Sequence, residues 1–192
     1  MSLLKEQLEQ LEKELIAEVV AISPYHDLPF AIFRYDPKSE FEMRKEVQLL
    51  ATRLKNKGKN VYIISLAELF NESIEIEGGI DAIVREEREF KFARAQQTVS
   101  YILSDPDFTP ITSLLEDRLH KLDSTNAVVF LVHAGVFAPN CYRLSVLLDY
   151  MKGKTEIPCI LFYPGSIKDN TLYFMDQFDQ PPGSYHVTIF NR

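Results

Sequence analysis

Hydrophobic residues recur along this chain with two different periods, and the alternation between the two predicts an α/β fold. Short apolar runs are typical of strands in an interior sheet, whereas apolar residues three or four positions apart are typical of amphipathic helices. Because a helical segment follows each of the first three runs, we expect parallel strands joined by right-handed crossovers. The four predicted strands are FAIFRY at 30–35, NVYIISL at 60–66, AVVFLV at 127–132 and IPCILFY at 157–163.

Two further features complete the predicted architecture. A single long helix is predicted from Ile80 to about Leu103, where the apolar residues keep a helical period. Two more short strands are predicted at 170–175 and 185–190, joined by the turn sequence DQPPGS. We therefore predict one α/β domain over residues 1–192. It has three layers and a mostly parallel central sheet of about five or six strands.

The first predicted helix, over about residues 3–20, carries an apolar stripe. Such a stripe either packs on the core of the domain or forms a short coiled-coil seam with a partner. We favour packing on the core because the stripe spans fewer than three heptads. A docking or dimerising helix is the alternative. The residues of the stripe, at alternating steps of four and three, are Leu4, Leu8, Leu11, Leu15 and Val19.

The ends of the predicted strands form a candidate binding cleft. In parallel sheets, ligands bind beyond the carboxyl ends of the strands. His133 is the acid–base candidate in this cleft, and Asp36 could orient it. The alternative, which we favour, is that His133 bonds locally while Gly135 and Gly165 form tight turns. The residues that the predicted fold collects at this edge are Asp36, Ser65, His133, Gly135, Tyr163 and Gly165.

The turn after the first predicted strand lacks the features of a phosphate-binding loop. A Walker A loop needs glycines that let backbone N–H groups approach phosphate, and a Lys-Ser/Thr pair at the start of the helix. The corresponding segment at 34–44 contains Lys38 and Ser39 but no glycine, and Pro37 has no N–H to donate. We therefore predict a nucleotide-binding-like layout without a Walker A loop.

Residues that bind metals or act as nucleophiles are scattered along the chain. The four histidines have no ligand spacing, so we predict no metal and no cofactor. Cys159 could approach His133 on a neighbouring strand, but a cysteine within an apolar strand is usually a small buried thiol. No catalytic residue is assigned, and the sequence favours a protein without enzymatic activity.

Charge and cysteine usage narrow the possible functions. The 28 acidic residues outnumber the 21 basic ones and give a formal charge of −7. This balance disfavours a broad phosphate-binding surface, so we expect contact with nucleic acid only indirectly. The two cysteines, Cys141 and Cys159, indicate reduced thiols in an intracellular protein. No apolar run approaches the ~20 residues that span a membrane, so we expect a cytoplasmic protein.

One charged helical segment, at 85–97, has a regular pattern of cations. Arg85, Arg88, Lys91 and Arg94 recur at steps of three and could contact phosphate or an acidic partner. The glutamates between them favour a solvated face with ion pairs of its own.

Several segments together resemble a known family. In the C-terminal half these are VVFLVHAGVFAPNCYRLSVLLDYM, IPCILFYPGS, TLYFM and YHVTIFN, and in the N-terminal half FAIFRYDPKSEFEMRKEVQLLATRLKNKGKNVYIISLAELF. They resemble BrxB, the small B component of BREX bacteriophage-exclusion systems, over about the whole chain. The most specific element is LFYPG. The family has no established activity, so no catalytic residues can be carried over.

The resemblance implies a component of an antiviral defence assembly. Its expected partner is PglZ, the alkaline-phosphatase-like protein of such systems. The leading hypothesis is therefore a non-enzymatic interaction protein. Two alternatives stay open: a ligand-binding or hydrolytic domain that uses the strand-end cleft, and a nucleic-acid-binding accessory protein. Homo-oligomerisation is also open.

Overall fold

A six-stranded sheet forms the centre of the computed structural model, which describes residues 3–17, 22–23, 28–139, 141–169, 171–178 and 185–190. The strands lie in the order β2-β3-β4-β1-β6 and are parallel, and β5 pairs antiparallel with the end of β4. The predicted α/β fold with a mostly parallel sheet is confirmed. The strands are β1 (Phe30–Tyr35), β2 (Asn60–Ser65), β3 (Ala127–Val132), β4 (Cys159–Lys168), β5 (Thr171–Phe174) and β6 (Thr188–Phe190).

Helices cover both faces of the sheet and make three layers. Helices α1 and α2 lie on one face, and α3, α6 and α7 lie on the other. None of the helices in the described ranges has the length and hydrophobicity needed to cross a membrane. The helices are α1 (Leu3–Ile16), α2 (Glu40–Asn56), α3 (Leu66–Ile76), α4 (Ile80–Phe90), α5 (Phe92–Ser104), α6 (Ile111–His120) and α7 (Leu144–Tyr150).

Two hydrophobic cores, one on each face, hold the layers together. All six residues of β3 are buried, as expected for a central parallel strand that is covered on both sides. On the α1–α2 face, the ring of Phe162 packs 5.6 Å from Phe33 and 5.2 Å from Phe130, measured between centroids. Tyr163, the next residue of β4, is buried in the opposite core because side chains alternate along a strand.

The leucine stripe of α1 is buried within the chain. Leu8, Leu11 and Leu15 are 1%, 0% and 0% exposed and belong to the core beneath α2. Glu12 on the same helix accepts hydrogen bonds from Arg53 Nε at 2.6 Å and Lys57 Nζ at 2.8 Å, both on or beside the end of α2. The stripe therefore packs on the core, and Val19 lies outside the described residues.

Two predicted features are wrong. The single helix predicted from Ile80 is broken at Lys91, whose φ of 75° separates α4 from α5. The predicted turn at Gly165 does not form, because β4 continues to Lys168 and pairs with β5. Gly135 lies within a 3₁₀ turn over Ala134–Phe137, and the left-handed residue there is His133, with φ of 61°. The predicted DQPPGS turn lies outside the described residues.

Candidate functional site

A cleft of about 360 Å³ opens at the carboxyl ends of the strands, between α2 and the sheet. The connection from β1 to β2 passes over β4 and β3, because β2 lies at the far edge of the sheet. Helix α2 makes this crossing and leaves a gap above β2, where Ile63 is 36% exposed. The polar residues that line the cleft are Tyr35, Glu40, Arg44, Gln48, Ser65, Glu68 and His133.

Ser65 and His133 form the central polar contact of the cleft. Ser65 is the last residue of β2 and His133 follows β3, and the register pairs Ser65 with Val132. The two side chains meet with 2.9 Å between Ser65 Oγ and His133 Nδ1. Ser65 Oγ also accepts the N–H of Glu68 at 3.2 Å, which caps α3. Because the hydroxyl oxygen accepts from the backbone, its own hydrogen is available to His133 Nδ1.

A second polar group faces this pair from the first turn of α2. The phenol of Tyr35 donates a hydrogen bond to Glu40 Oε2. Arg44 Nε donates to the other oxygen, Glu40 Oε1, at 2.7 Å. Burial, reinforced by the hydrogen bond to Glu40, raises the pKa of Tyr35 well above its usual range. The phenol therefore remains a hydrogen-bond donor at physiological pH.

Apolar side chains line the cleft beside its polar groups. Met43, Val47, Val132 and Phe162 form the walls beside Ile63. Small-molecule sites also combine apolar walls with convergent polar groups. Ser65 is 7% exposed, and its hydroxyl lies beside the imidazole of His133. Among the side chains that line the cleft, this hydroxyl has the chemistry of an activated nucleophile. In the described part of the chain, no three His, Cys, Asp or Glu side chains are grouped to hold a metal ion.

The structure brings two of the six predicted cleft residues together, Ser65 and His133. Asp36 lies at the end of β1, but its carboxylate accepts the N–H of Lys38 at 2.9 Å and caps a local 3₁₀ turn. It does not contact His133. The proposed orientation of His133 by Asp36 is thus replaced by the contact with Ser65.

The other three predicted residues lie away from the cleft. Tyr163 points into the opposite core, where its hydroxyl is 3.4 Å from that of Tyr185. Gly165 pairs with Phe174 inside the β4–β5 ladder. Gly135 lies in the 3₁₀ turn after β3 and does not line the cleft. Successive side chains of a strand point to opposite faces of the sheet. Phe162 points towards the cleft, so its neighbour Tyr163 points to the opposite face.

Sequence reasoning missed the Tyr35–Glu40–Arg44 group. A signal was present, because Glu40 and Arg44 have the i, i+4 spacing of a helical ion pair. Tyr35 carried no such signal, since it reads as the last apolar residue of a strand. Its position beside Glu40 follows only from the turn that joins β1 to α2.

Cys159 does not approach His133, and the interpretation favoured from the sequence, a small buried thiol, agrees with its position. Cys159 pairs with Val129 near the start of β3, whereas His133 follows the end of that strand. Four residues of extended chain amount to about 13 Å. Cys159 is fully buried, and burial raises the pKa of its thiol far above the usual value. It has the surroundings of a structural thiol.

The model of one protein family, described as "BREX protein BrxB", matches residues 62–188. This chain belongs to the BrxB family. A BREX protein BrxB from Bacillus cereus (strain H3081.97) is 26% identical over 146 residues, which cover 73% of this chain and 72% of the relative. No solved structure matches the chain. The predicted resemblance is confirmed, and it associates the chain with BREX phage defence.

The family match covers only part of the cleft. It begins within β2 and includes both Ser65 and His133. Tyr35, Glu40 and Arg44 precede the matched residues.

Proposed function

We propose that this chain is a non-enzymatic, cytoplasmic interaction component of a BREX-type antiviral defence complex, and that it binds the PglZ phosphatase-like protein. Membership of the BrxB family supports a role in such a system. The main structural support for an interaction role is that the α4–α5 hairpin exposes aromatic side chains to solvent at its tip. We define the hairpin tip as residues 88–94.

The hairpin tip exposes two phenylalanines on either side of a bend. Phe90 is 57% exposed and Phe92 is 56% exposed, and Lys91 between them has a left-handed backbone. None of the α4 side chains is buried, although the helix folds back against α5. Two phenylalanines this exposed contribute little to the hydrophobic core of this chain. Aromatic residues in such positions are typical of anchors in protein–protein interfaces.

The hairpin tip also contains three cationic residues, Arg88, Lys91 and Arg94. Arg94 pairs with Glu86 at 3.3 Å, whereas Arg88 and Lys91 form no ion pair with any described residue. The tip thus combines aromatic anchors with free positive charge on a protein whose net charge is −7. A partner that offers an apolar pocket with an acidic rim fits this surface.

Co-purification tests the proposal. We expect the tagged chain to recover the PglZ-like protein from cells that express the whole BREX system. The double substitution Phe90→Ser/Phe92→Ser should reduce recovery about tenfold or more, because each lost anchor costs ~1–2 kcal/mol. Phe41→Ser is the matched control, since Phe41 is 77% exposed on α2, away from the tip.

Two results would overturn the interaction role. One is recovery of this chain without any BREX component, and the other is unchanged phage restriction after its deletion. Equal loss of partner in the Phe41 control would show that the hairpin tip is not the contact surface.

A second candidate function uses the cleft as a ligand-binding or hydrolytic site. The 2.9 Å contact between Ser65 Oγ and His133 Nδ1 favours it, because a hydroxyl bonded to an imidazole is a potential nucleophile. His133→Ala removes the imidazole and leaves the hairpin tip unchanged. Loss of phage restriction in a folded His133→Ala variant that still binds its partner would support this function. Retained restriction would exclude catalysis by His133.

A further inference from the structure

Strand β2 forms one open edge of the sheet. Among the described residues it pairs only with β3, which leaves its other side without a strand. The N–H of Asn60 bonds to Asn126 O at 3.0 Å, so the backbone groups of Asn60 point towards β3. Successive residues of a strand point their N–H and C=O groups in opposite directions. The backbone groups of Val61 and Ile63 therefore point outwards, and they have no hydrogen-bond partner in the described ranges.

This edge lacks the features that usually prevent strand pairing. Exposed edges are commonly protected by a charged side chain, a proline or a bulge. Residues 61–65 contain none of these, and the strand keeps a regular register with β3 throughout. Ile63 is 36% exposed, and a groove lined by Lys55, Lys59 and Tyr62 runs beside the start of the strand. The edge is accessible at its centre, at Ile63, whereas Val61 and Ser65 are 6% and 7% exposed.

The charges at the two ends of β2 are of opposite sign. Lys55 and Lys59 precede the strand, and Glu68 follows it in the first turn of α3. In an antiparallel pair, the start of one strand lies beside the end of the other. Two copies of β2 would thus place the lysines of each copy near Glu68 of the other. The edge is electrostatically complementary to itself.

We propose that two copies of this chain associate through β2, with the strands antiparallel about a two-fold axis. A two-fold axis perpendicular to the sheet gives antiparallel strands, and the interface is then closed and isologous. The outward N–H and C=O groups of Ile63 bond to those of Ile63 in the second copy. The two sheets become one continuous sheet. This contact is independent of the hairpin tip, so the two surfaces can be tested separately.

Sedimentation of the purified full-length chain over a range of concentrations tests the pairing. We expect a dimer that dissociates on dilution. Ile63→Lys should shift the chain to monomer, because it places a buried charge at the centre of the interface. Val146→Lys is the matched control, since Val146 is an apolar residue 48% exposed on α7. Circular dichroism shows whether both variants fold.

A pair of charge-reversal substitutions tests the same interface if Ile63→Lys fails to fold. Lys59→Glu and Glu68→Lys should each weaken the dimer about tenfold, and the two together should restore it. Hydrogen exchange gives a local readout. The amides of Val61 and Ile63 should exchange more slowly at high protein concentration, whereas those of Tyr62 and Ile64 should not change.

Three outcomes would overturn the proposal. The first is a monomer at the highest soluble concentration, which would leave the edge for a different partner. The second is a dimer that survives both Ile63→Lys and the single charge changes. The third is concentration-independent exchange at Val61 and Ile63 in a chain that does dimerise.

Discussion

Gly165 and Tyr173 lie against each other across the β4–β5 pair, with the carbonyl oxygen of Tyr173 in the space that a Cβ on Gly165 would occupy. The ring of Tyr163 lies 2.8 Å from the same position, at its Cε1 atom. A backbone carbonyl within a ladder cannot move aside without breaking the pairing. Glycine is required here by close packing, in an extended strand rather than a turn.

Gly165→Ala should destabilise the protein by about 1–3 kcal/mol, because the added methyl group overpacks the β4–β5 pair. Urea unfolding measures the change. Gly135→Ala is the matched control, since its Cβ would meet only Met175 Sδ, at 3.9 Å. The control should change stability by less than about 0.5 kcal/mol. Equal effects of the two substitutions would contradict this account of Gly165.

Glu12→Gln should also be destabilising. The Glu12 side chain is 9% exposed and accepts hydrogen bonds from both Arg53 and Lys57. The amide keeps the shape but loses the charge, so we expect a loss of about 1–3 kcal/mol in the free energy of unfolding. Glu14→Gln, an isosteric change on the same helix, should have little effect. A loss that is equal in the two variants would show that the ion pairs of Glu12 do not contribute.

The same carboxylate makes stability depend on pH. Burial alone raises the pKa of Glu12, but the hydrogen bonds and charges of Lys57 and Arg53 outweigh it and hold the pKa below 4.5. A lowered pKa in the folded state stabilises the protein fully above about pH 4.5, and this contribution is lost as the pH falls through the lowered pKa. Urea unfolding between about pH 6 and 3 should therefore show a smaller loss of stability for Glu12→Gln than for the unmodified chain.

Ser65→Ala should remove both the cap of α3 and the contact with His133. We expect a cost of about 1–2 kcal/mol, since the N–H of Glu68 loses its acceptor. His133→Ala removes the contact but keeps the cap, so thermal unfolding should show the smaller effect. Asp at position 65 can also accept the N–H of Glu68, and Ser65→Asp should recover part of the helix cap. If His133→Ala proves the more damaging change, the imidazole rather than the cap is the main support of this site.

Both thiols should be unreactive in the folded protein. Burial raises the pKa of Cys141 to about 11 and that of Cys159 further still. The reactive thiolate is therefore scarce at neutral pH, and neither sulfur is accessible. Iodoacetamide followed by mass spectrometry should find two modified cysteines in urea and almost none without it. Rapid modification of Cys159 in the native chain would contradict its position in the core.

Much of the fold could be predicted because each segment carries its own pattern. The run AVVFLV has no polar residue, so it can lie only where both faces are covered, and β3 does. The helix break at Lys91 carried no such signal, because neither glycine nor proline marks it. It is decided by packing, since α5 buries Ala95, Ile102 and Leu103 while α4 folds back along it.

The candidate cleft was predictable only in part. A parallel sheet collects the ends of its strands at one edge, which is why Ser65 and His133 could be placed there from the sequence. Alternate residues of a strand face opposite sides of the sheet, and the sequence does not show which of two successive residues faces the cleft. In the structure Phe162 faces the cleft and Tyr163 faces the opposite core.

Most of the helices and strands, the parallel sheet and the family could be predicted from the sequence, because hydrophobic periodicity and family resemblance are properties of local segments of the chain. The strand order, and with it the path of α2 and the open edge of β2, could be learned only from the folded chain. Strand order depends on contacts between residues far apart in the chain. The 2.9 Å contact of Ser65 with His133, 68 residues away, is one of them.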